Sequence, residues 1–513
     1  MSDRSASNKR IAKNTMFLYV RMLFLMFVHL YTSRVVLKGL GVDDYGIYTI
    51  VGGFVTMFAL VSAALTGACQ RFLNFEMGKG DLDRLRTVFS TAVIIQCVLA
   101  LIVVVLAETV GLWYVNNVMV YDVARQTAVN WCFQFSVFTF CMKLVSVPFS
   151  ASVIAHERMK VFSYVSIYEG LAILVVAELL QSVGFDKLIF YACMLCLIQS
   201  SVQLAYQVYC RRSFEECRMN WTFDKQLLRR MLTYSLWHLI GNGAVVLKTN
   251  GVDVVLNLFF GPRVNAAKGV ANQVESAVNQ FAGNFMIAMN PQITQSYANG
   301  NLDYMLNLVG RGARFSFFLM LLLSLPIIIN AHQVLDLWLD KVPDYAVIFV
   351  QLTLIVGIVG SLSRPLVTAQ NATGNVRNYQ VVVGGIVLLN LPLSFVALKF
   401  GADAAVVVVI ALAIECVALF ARVYMIPFTI KEFRPLAFIR SVLLKCAYVS
   451  LVSCIVPCLM ALYFPESRLM LFLNVAVCLL CTSLSVFYLG CERSERTFLL
   501  TKASELAHKV LRK

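Results

Sequence analysis

The chain has 513 residues, of which 59 % are hydrophobic and 14 % charged, with a mean hydropathy of +0.76. Soluble domains average about 45–50 % apolar and about 25 % charged residues, so a large soluble enzyme, a disordered chain and a disulfide-stapled secreted domain are all excluded. The net charge of +15 raises nucleic acid as a partner until the positions of the charges are considered.

A spanning helix needs about 20 mostly apolar residues, and fourteen stretches qualify. Residues 1–14, MSDRSASNKRIAKN, are basic and precede no cleavage site, so they read as a cytoplasmic N-terminus leading into a retained anchor. Six spans are expected at 15–33, 46–69, 88–113, 127–150, 161–182 and 188–209, forming an N-terminal lobe over 15–210. Residues 211–232 read as a cytoplasmic linker. Six more spans are expected at 233–257, 267–289, 313–331, 346–367, 379–398 and 404–426, a C-terminal lobe over 233–426. The eighth is the most polar, with Asn272, Gln273, Glu275, Asn279, Gln280 and Asn284. It must be buried in protein or face water. Spans 13 and 14, at 441–463 and 469–490, make up a further segment over 441–490. In 491–513, Leu499, Ala503, Leu506 and Val510 fall on one face of a cytoplasmic amphipathic tail. The expected fold class is all-α integral membrane: about 14 transmembrane helices, in two six-helix pseudo-symmetric lobes plus two C-terminal helices.

With the N-terminus inside, the Lys/Arg excess collects in the cytoplasmic segments, while the outer loops are balanced. This is the positive-inside pattern. The basic excess therefore reports orientation, with both termini cytoplasmic, and needs no nucleic acid. Most of the 15 cysteines lie in apolar stretches. Cys193/Cys196 and Cys478/Cys481 match C-x-x-C inside expected spans without a partner cluster. They read as small buried apolar residues.

A faint internal repeat links the two lobes. Leu40-Gly41 and Phe260-Gly261 stand 220 residues apart, as do GKGDLDRL (Gly80, Leu82, Asp83) and ANGNLDYM (Gly300, Leu302, Asp303). Pro148 and Ala155 match Pro365 and Ala372 at an offset of 217. Six spans per copy is an even number, so the repeat is parallel, with a binding site expected between the halves.

Ionisable residues inside spans carry the functional signal, because each costs roughly 2.5–3.5 kcal/mol at the bilayer centre on insertion scales. The cations singled out are Arg21, Lys143 and Lys248; Lys445 lies near a span end and reads as snorkelling. His29 stands eight residues after Arg21. Lys143 belongs to a stripe with Ser136, Thr139, Ser146 and Ser150. Span 7 carries Asn250, Asp253 and Asn257 at i, i+3, i+7, and span 8 carries Gln273, Gln280 and Asn284. Cations from spans 1, 4 and 7 in one cavity suit an anion such as a diphosphate. Each has a local alternative: Lys248 pairing with Asp253, and Arg21 with a backbone carbonyl. Asp253 offers hard oxygens for Na⁺ or a proton site, and Glu415 is an alternative proton carrier. No G-x-S-x-G, H-E-x-x-H or P-loop occurs, so an enzyme and an ATP-driven pump are not expected.

RVVLKGLGVDDYGIY, GKGDLDRLRTVFS, VPFSASVIAHERM, NLFFGPRVNAAKGVANQV, NPQITQSYANG and RPLVTAQNATGN together resemble the polysaccharide or O-antigen flippases of the multidrug/oligosaccharidyl-lipid/polysaccharide (MOP, MATE-like) exporter superfamily. The likeness is to the lipopolysaccharide-biosynthesis branch of Bacteroides-type bacteria. The resemblance implies two lobes around a central cavity and alternating access for a polyprenyl-diphosphate-linked oligosaccharide in the inner membrane. Arg21 then stands where relatives carry a first-span arginine, and Lys248 in the first helix of the second lobe; Lys143 matches no motif. Some relatives hold sodium on helices 7, 11 and 12. Asp253 would supply the seventh-helix carboxylate, while the eleventh span offers Asn390 and no acid. No cofactor is implied beyond Na⁺ or H⁺ coupling. Expected partners are the lipid-linked glycan, membrane lipids, and a polysaccharide polymerase or glycosyltransferases. Two alternatives stay open: a drug or cation antiporter of the same fold, and a non-transporting scaffold of a polysaccharide synthase complex.

Overall fold

The computed structural model describes residues 2–41, 44, 47–48, 51, 59–117, 122–218, 224–246, 248, 251–260, 262–339, 342–463, 467–493 and 495–497. Among them there are helices and connecting turns, and no strand. In chain order, α1 spans Ser2–Leu40, α2 Ala59–Lys79, α3 Leu82–Asn117, α4 Val123–Ala155, α5 Met159–Leu179 and α6 Lys187–Ser213. Then come α7 Lys225–Val246, α8 Val252–Phe260, α9 Pro262–Ala298, α10 Leu302–Ile329 and α11 Ala331–Trp338. Last are α12 Ala346–Thr373, α13 Arg377–Lys399, α14 Val406–Phe428, α15 Pro435–Tyr463 and α16 Arg468–Gly490.

Ten of these helices, α3–α6, α10 and α12–α16, are long and apolar enough to cross a membrane among the described residues. Fourteen spans were expected. The difference falls entirely on spans 1, 2, 7 and 8, the first pair of each expected lobe. α1 holds only a shorter apolar run, Asn14–Val28. α9 is long enough but carries Lys268, Glu275 and a series of amides, so its mean hydropathy is low. Residues 52–58 and 249–250 of the other two spans lie outside the described residues, as does most of the expected tail, 498–513.

The chain divides into two compact units: Met1–Gly243 with Ile287–Asn301, and Ala244–Met286 with Leu302–Lys513. α9 is thus shared, its last three turns belonging to the first unit. There, Gln295 Nε2 donates to the Ala155 carbonyl at 2.9 Å and Gln292 Nε2 to Glu157 Oε2 at 3.2 Å. Gly78 lets the chains approach, since a Cβ would stand 2.6 Å from the Gln295 carbonyl oxygen. The largest core cluster of this unit packs Val129, Phe133 and Val137 of α4 against Ala177, Leu188 and Tyr191 of α5 and α6. In the second unit Tyr379, Val383 and Val387 of α13 pack on Ala418 of α14. Large apolar side chains such as Leu451, Leu462 and Phe472 stand exposed on α15 and α16. That is the inside-out economy of a lipid-facing helix, whose backbone groups are satisfied internally while its apolar face needs no cover.

Loop ion pairs respect the topology read from the sequence. Arg125 joins Asp44 (Nε–Oδ1 2.9 Å) and Asp186 (Nη1–Oδ2 2.5 Å), three residues that follow odd-numbered expected spans. Arg84 with Asp224, Arg86 with Glu215 and His156 with Glu216 join segments that follow even-numbered spans. In the second unit Arg314, on α10 and 4 % exposed, holds Glu492 at 2.9 Å and Glu495 at 3.1 Å. The segment after α16 is thereby tied to the middle of α10.

The sequence matches coincide with local geometry. Gly80 and Gly300 both have φ +73° and separate α2 from α3 and α9 from α10. Glu157 (φ +56°) and Gly374 (φ +77°) lie 217 residues apart, beyond helices that each carry an internal proline, Pro148 and Pro365. One copy meets the left-handed turn with glycine. The other holds a glutamate there, whose carboxylate Gln292 binds.

Burial alone would raise the Asp186 carboxyl, but the Ile189 N–H, the Arg125 guanidinium and the Leu188 N–H together hold it below the usual carboxylate range. A depressed folded-state pKa contributes stability above the unfolded value and loses it as pH falls. Arg125→Ala is therefore expected to cost about 1.5–3 kcal/mol at neutral pH. The deficit should shrink as pH drops below about 4, the unfolded carboxylate range; thermal unfolding of the detergent-solubilised protein across pH measures it. Gly374→Ala should cost about 1–2 kcal/mol through its left-handed backbone, read as a lowered unfolding temperature in the same assay.

A charged cavity in the second unit

α8, α9, α12, α13 and α14 enclose a cavity of about 430 Å³ within the second unit. α9 presents Lys268, Asn272, Glu275 and Asn279 to it, at i, i+4, i+7, i+11. α12 contributes Thr353, Gly357, Gly360, Ser363 and Arg364, another helical stripe. Lys248 precedes α8 and Asp253 lies at its start, Asn390 comes from α13, and Glu415 and Arg422 from α14. The two glycines make room for carboxylates: a Cβ at Gly357 would stand 3.1 Å from Glu275 Oε1, and one at Gly360 3.8 Å from Glu415 Oε1.

Glu415 anchors one side. Its carboxylate accepts from Lys248 Nζ at 2.9 Å and from Arg422 Nη1 at 3.1 Å. Arg422 Nη1 also donates to Ser363 Oγ at 3.0 Å. Glu415 and Arg422 are 8 % and 9 % exposed, so the set satisfies charges that hydrocarbon would penalise heavily. The other side is looser. Lys268 Nζ donates to Thr353 Oγ1 at 3.1 Å, and Arg364 Nη2 to Asn279 Oδ1 at 2.5 Å. Both partners are neutral, so neither cation is neutralised by contact and each has spare donors. Asp253 and Glu275 line the same space and have no ion pair within 4 Å among the described residues. The cavity thus holds four cations and three carboxylates.

The structure brings together Lys248, Asp253, Asn390 and Glu415 of the residues selected from sequence. Lys248 pairs with Glu415, 167 residues away, and not with Asp253 as its local alternative supposed. Asn390 is buried, and its Nδ2 lies 3.4 Å from the Lys248 carbonyl. Asn250 and the side chain of Asn257 lie outside the described residues. Of the α9 stripe selected from sequence, Gln273 and Gln280 are exposed and do not line this cavity, and Asn284 is buried. The lining face is the one through Lys268 and Glu275, roughly 100° round the helix from Gln273.

In the first unit, Arg21 is half-buried with its guanidinium 4.6 Å from the Phe162 ring centroid. Its Nε and Nη1 are enclosed without a hydrogen-bond partner, so the expected backbone carbonyl is not supplied. Glu169, which accepts from Gln199 Nε2 at 2.6 Å, and Tyr206 are the nearby groups acting on it. Lys143 is exposed on α4, and Thr139 is half-buried. Ser136 Oγ donates to the Cys132 carbonyl of its own helix. The side chain of His29 lies outside the described residues. Among the described residues no group of three or more His, Cys, Asp or Glu side chains could hold a metal ion.

Lys268, Arg364 and Arg422 escaped the sequence reading because each stands within about four residues of an expected span end, where a cation ordinarily snorkels to the interface. Their signal was spacing: Lys268 continues the Asn272–Glu275–Asn279 stripe.

Glu415→Gln would leave Lys248 and Arg422 buried without their counter-charge. The expected loss is about 3–5 kcal/mol, visible as a large drop in thermal unfolding temperature. Adding Lys248→Met should recover part of it.

The MatE family model matches residues 246–396, the stretch that supplies α8, α9, α12 and most of α13. No curated protein matches the sequence. Among solved structures, the MATE transporter ClbM in complex with Rb⁺ superposes with a TM-score of 0.67 at 15 % identity, covering 81 % of this chain and 94 % of that one. A MATE structure in the bent conformation gives 0.71 at 12 % identity, over 83 % and 96 %. The outward-facing conformation of a multidrug resistance MATE family transporter of the MOP superfamily gives 0.67 at 13 % identity, over 80 % and 94 %. The chain is an all-helical, multi-pass membrane protein with the fold of the MATE transporters.

Proposed function

We propose that this chain is an alternating-access transporter that moves a polyprenyl-diphosphate-linked oligosaccharide across the inner membrane of a bacterium for surface polysaccharide assembly, with both termini cytoplasmic. The observation that carries the reading is the charge balance of the second-unit cavity. Glu415 is shared by Lys248 and Arg422, whereas Lys268 and Arg364 have only neutral hydrogen-bond partners. Two under-neutralised cations beside amide and hydroxyl groups suit a diphosphate followed by sugar. The head group needs such a path, since its hydroxyls would lose their water partners in hydrocarbon. Arg21 and Lys143 of the first unit are the other cations that this reading assigns to anion binding. Coupling to Na⁺ or H⁺ falls to Asp253, with Asn390 beside Lys248, and to Glu275. The polysaccharide polymerase and glycosyltransferases of the same route are its partners.

A second reading, a cation or drug antiporter, has its own support in Asp253 and Glu275, two cavity carboxylates without an ion pair. A non-transporting scaffold is disfavoured, because a scaffold has no use for a charged interior.

Proteoliposomes separate these readings. The flippase reading expects movement of a fluorescent polyprenyl-diphosphate glycan, with Arg364→Gln or Lys268→Gln lowering the rate about 10- to 100-fold. That range corresponds to the loss of one charge-assisted hydrogen bond of about 1.5–3 kcal/mol. Uptake of an organic cation that Glu275→Gln abolishes, with no glycan movement, would establish the antiporter instead. Arg21→Ala should also abolish glycan movement while the protein still inserts.

A further inference from the structure

An apolar slot of about 430 Å³ opens on the first unit between α2, α3 and α7. Its walls include Leu65, Ile95, Val98, Ile102, Leu232 and Leu236. Val98 is 53 % and Leu236 60 % exposed, so the slot is open at the side, with no cover from the described residues of the unit. Along α7 the lining runs from Leu228 to Leu239, roughly 16 Å at 1.5 Å per residue. That is close to one leaflet, half of a hydrocarbon core roughly 30 Å thick.

One end of the slot is basic. α3 and α7 begin side by side, with Arg84 Nη1 3.5 Å from Asp224 Oδ2. Asp224 caps α7, its Oδ1 accepting from the N–H of Gln226 at 2.8 Å and of Leu227 at 3.1 Å. Lys225 lies on the same helical face as Leu232 and Leu239, and Arg229 borders Leu236 on that face. Arg84 lies on the face of α3 that carries Val98 and Ile102. Lys225 and Arg229 are exposed and have no acidic partner within 4 Å among the described residues. Among the described residues the acids that open these two helices are already engaged: Asp224 by the cap and Arg84, Asp81 by the Arg84 N–H that it caps, and Asp83 by Arg86.

We infer that the slot binds one chain of an anionic phospholipid of the adjoining leaflet, with the phosphate held by Lys225 and Arg229. The length fits a single-leaflet chain; of the unpartnered cations, Lys225 sits about one turn beyond the apolar lining and Arg229 beside its first residue, Leu228. Basic recesses between membrane helices at the charged face recognise anionic head groups in this way. The site is separate from the second-unit cavity and does not depend on which solute that cavity accepts.

Native mass spectrometry of the full chain in detergent, with equimolar phosphatidylglycerol and phosphatidylcholine added, tests this. Phosphatidylglycerol should be retained preferentially, and Lys225→Gln with Arg229→Gln should erode that preference about fivefold per cation removed. Both positions are exposed, so the substituted chain keeps its fold. Leu236→Trp, which fills the slot, should lower retention of phosphatidylglycerol with both cations intact. Undiminished retention in the Lys225/Arg229 variant would overturn the proposal. So would an equal loss in a Lys431→Gln/Arg434→Gln variant, which would assign the preference to net charge. Displacement of phosphatidylglycerol by undecaprenyl phosphate, with the same dependence on Lys225 and Arg229, would give the slot to the carrier lipid and overturn it as well.

Discussion

A buried carboxylate shared by two cations organises the second unit. Glu415 on α14 accepts from Lys248 before α8 and from Arg422 about two turns further along α14. Arg422 reaches on to Ser363 of α12. Three separate stretches of chain are thus bound at one largely buried point. Pairing of this kind gives little net stability relative to a well-packed apolar core, but removing any one member is costly. The consequence is positional. With Lys248 and Arg422 committed, Lys268 and Arg364 on the opposite wall are the cations whose charge is not neutralised by contact.

The same constraint explains which helices look least like membrane spans. A helix that lines a charged cavity must give one face to polar groups, and its mean hydropathy falls accordingly. α9 spends that face on Lys268, Asn272, Glu275 and Asn279. It is long enough to cross and too polar to register as a span. α15 and α16 turn Leu451, Leu462 and Phe472 outward and contribute nothing to the cavity, whereas α14, strongly apolar along its length, still places Glu415 and Arg422 on it.

The repeat adds a second level of order. Gly80 and Gly300 adopt the same left-handed turn at an offset of 220, and Glu157 and Gly374 at 217. Glycine takes this conformation at no steric cost. Glu157 takes it with its carboxylate bound by Gln292, so a side-chain contact replaces the missing conformational freedom. The polar chemistry does not repeat with the backbone. The second unit holds the charged cavity, while the first holds Arg21 against Phe162 and an open apolar slot with a basic rim.

Read alone, the sequence determined the all-helical membrane class, the run of apolar spans and the positions of the repeat turns. These are properties of local composition and spacing, and hydrocarbon leaves a spanning backbone few choices. It also selected Lys248, Asp253, Asn390 and Glu415, because ionisable and amide groups in apolar runs stand out without any knowledge of neighbours. Tertiary structure decided the rest. That Lys248 pairs with Glu415 and not with Asp253 depends on contact between residues 167 positions apart. That Lys268, Arg364 and Arg422 line a cavity depends on which way each helix is rotated, and a cation near a span end reads the same whether it snorkels to the interface or turns inward. Asn272 lines the second-unit cavity and Gln273 does not, because neighbouring residues stand about 100° apart on a helix and its rotation selects which one faces inward.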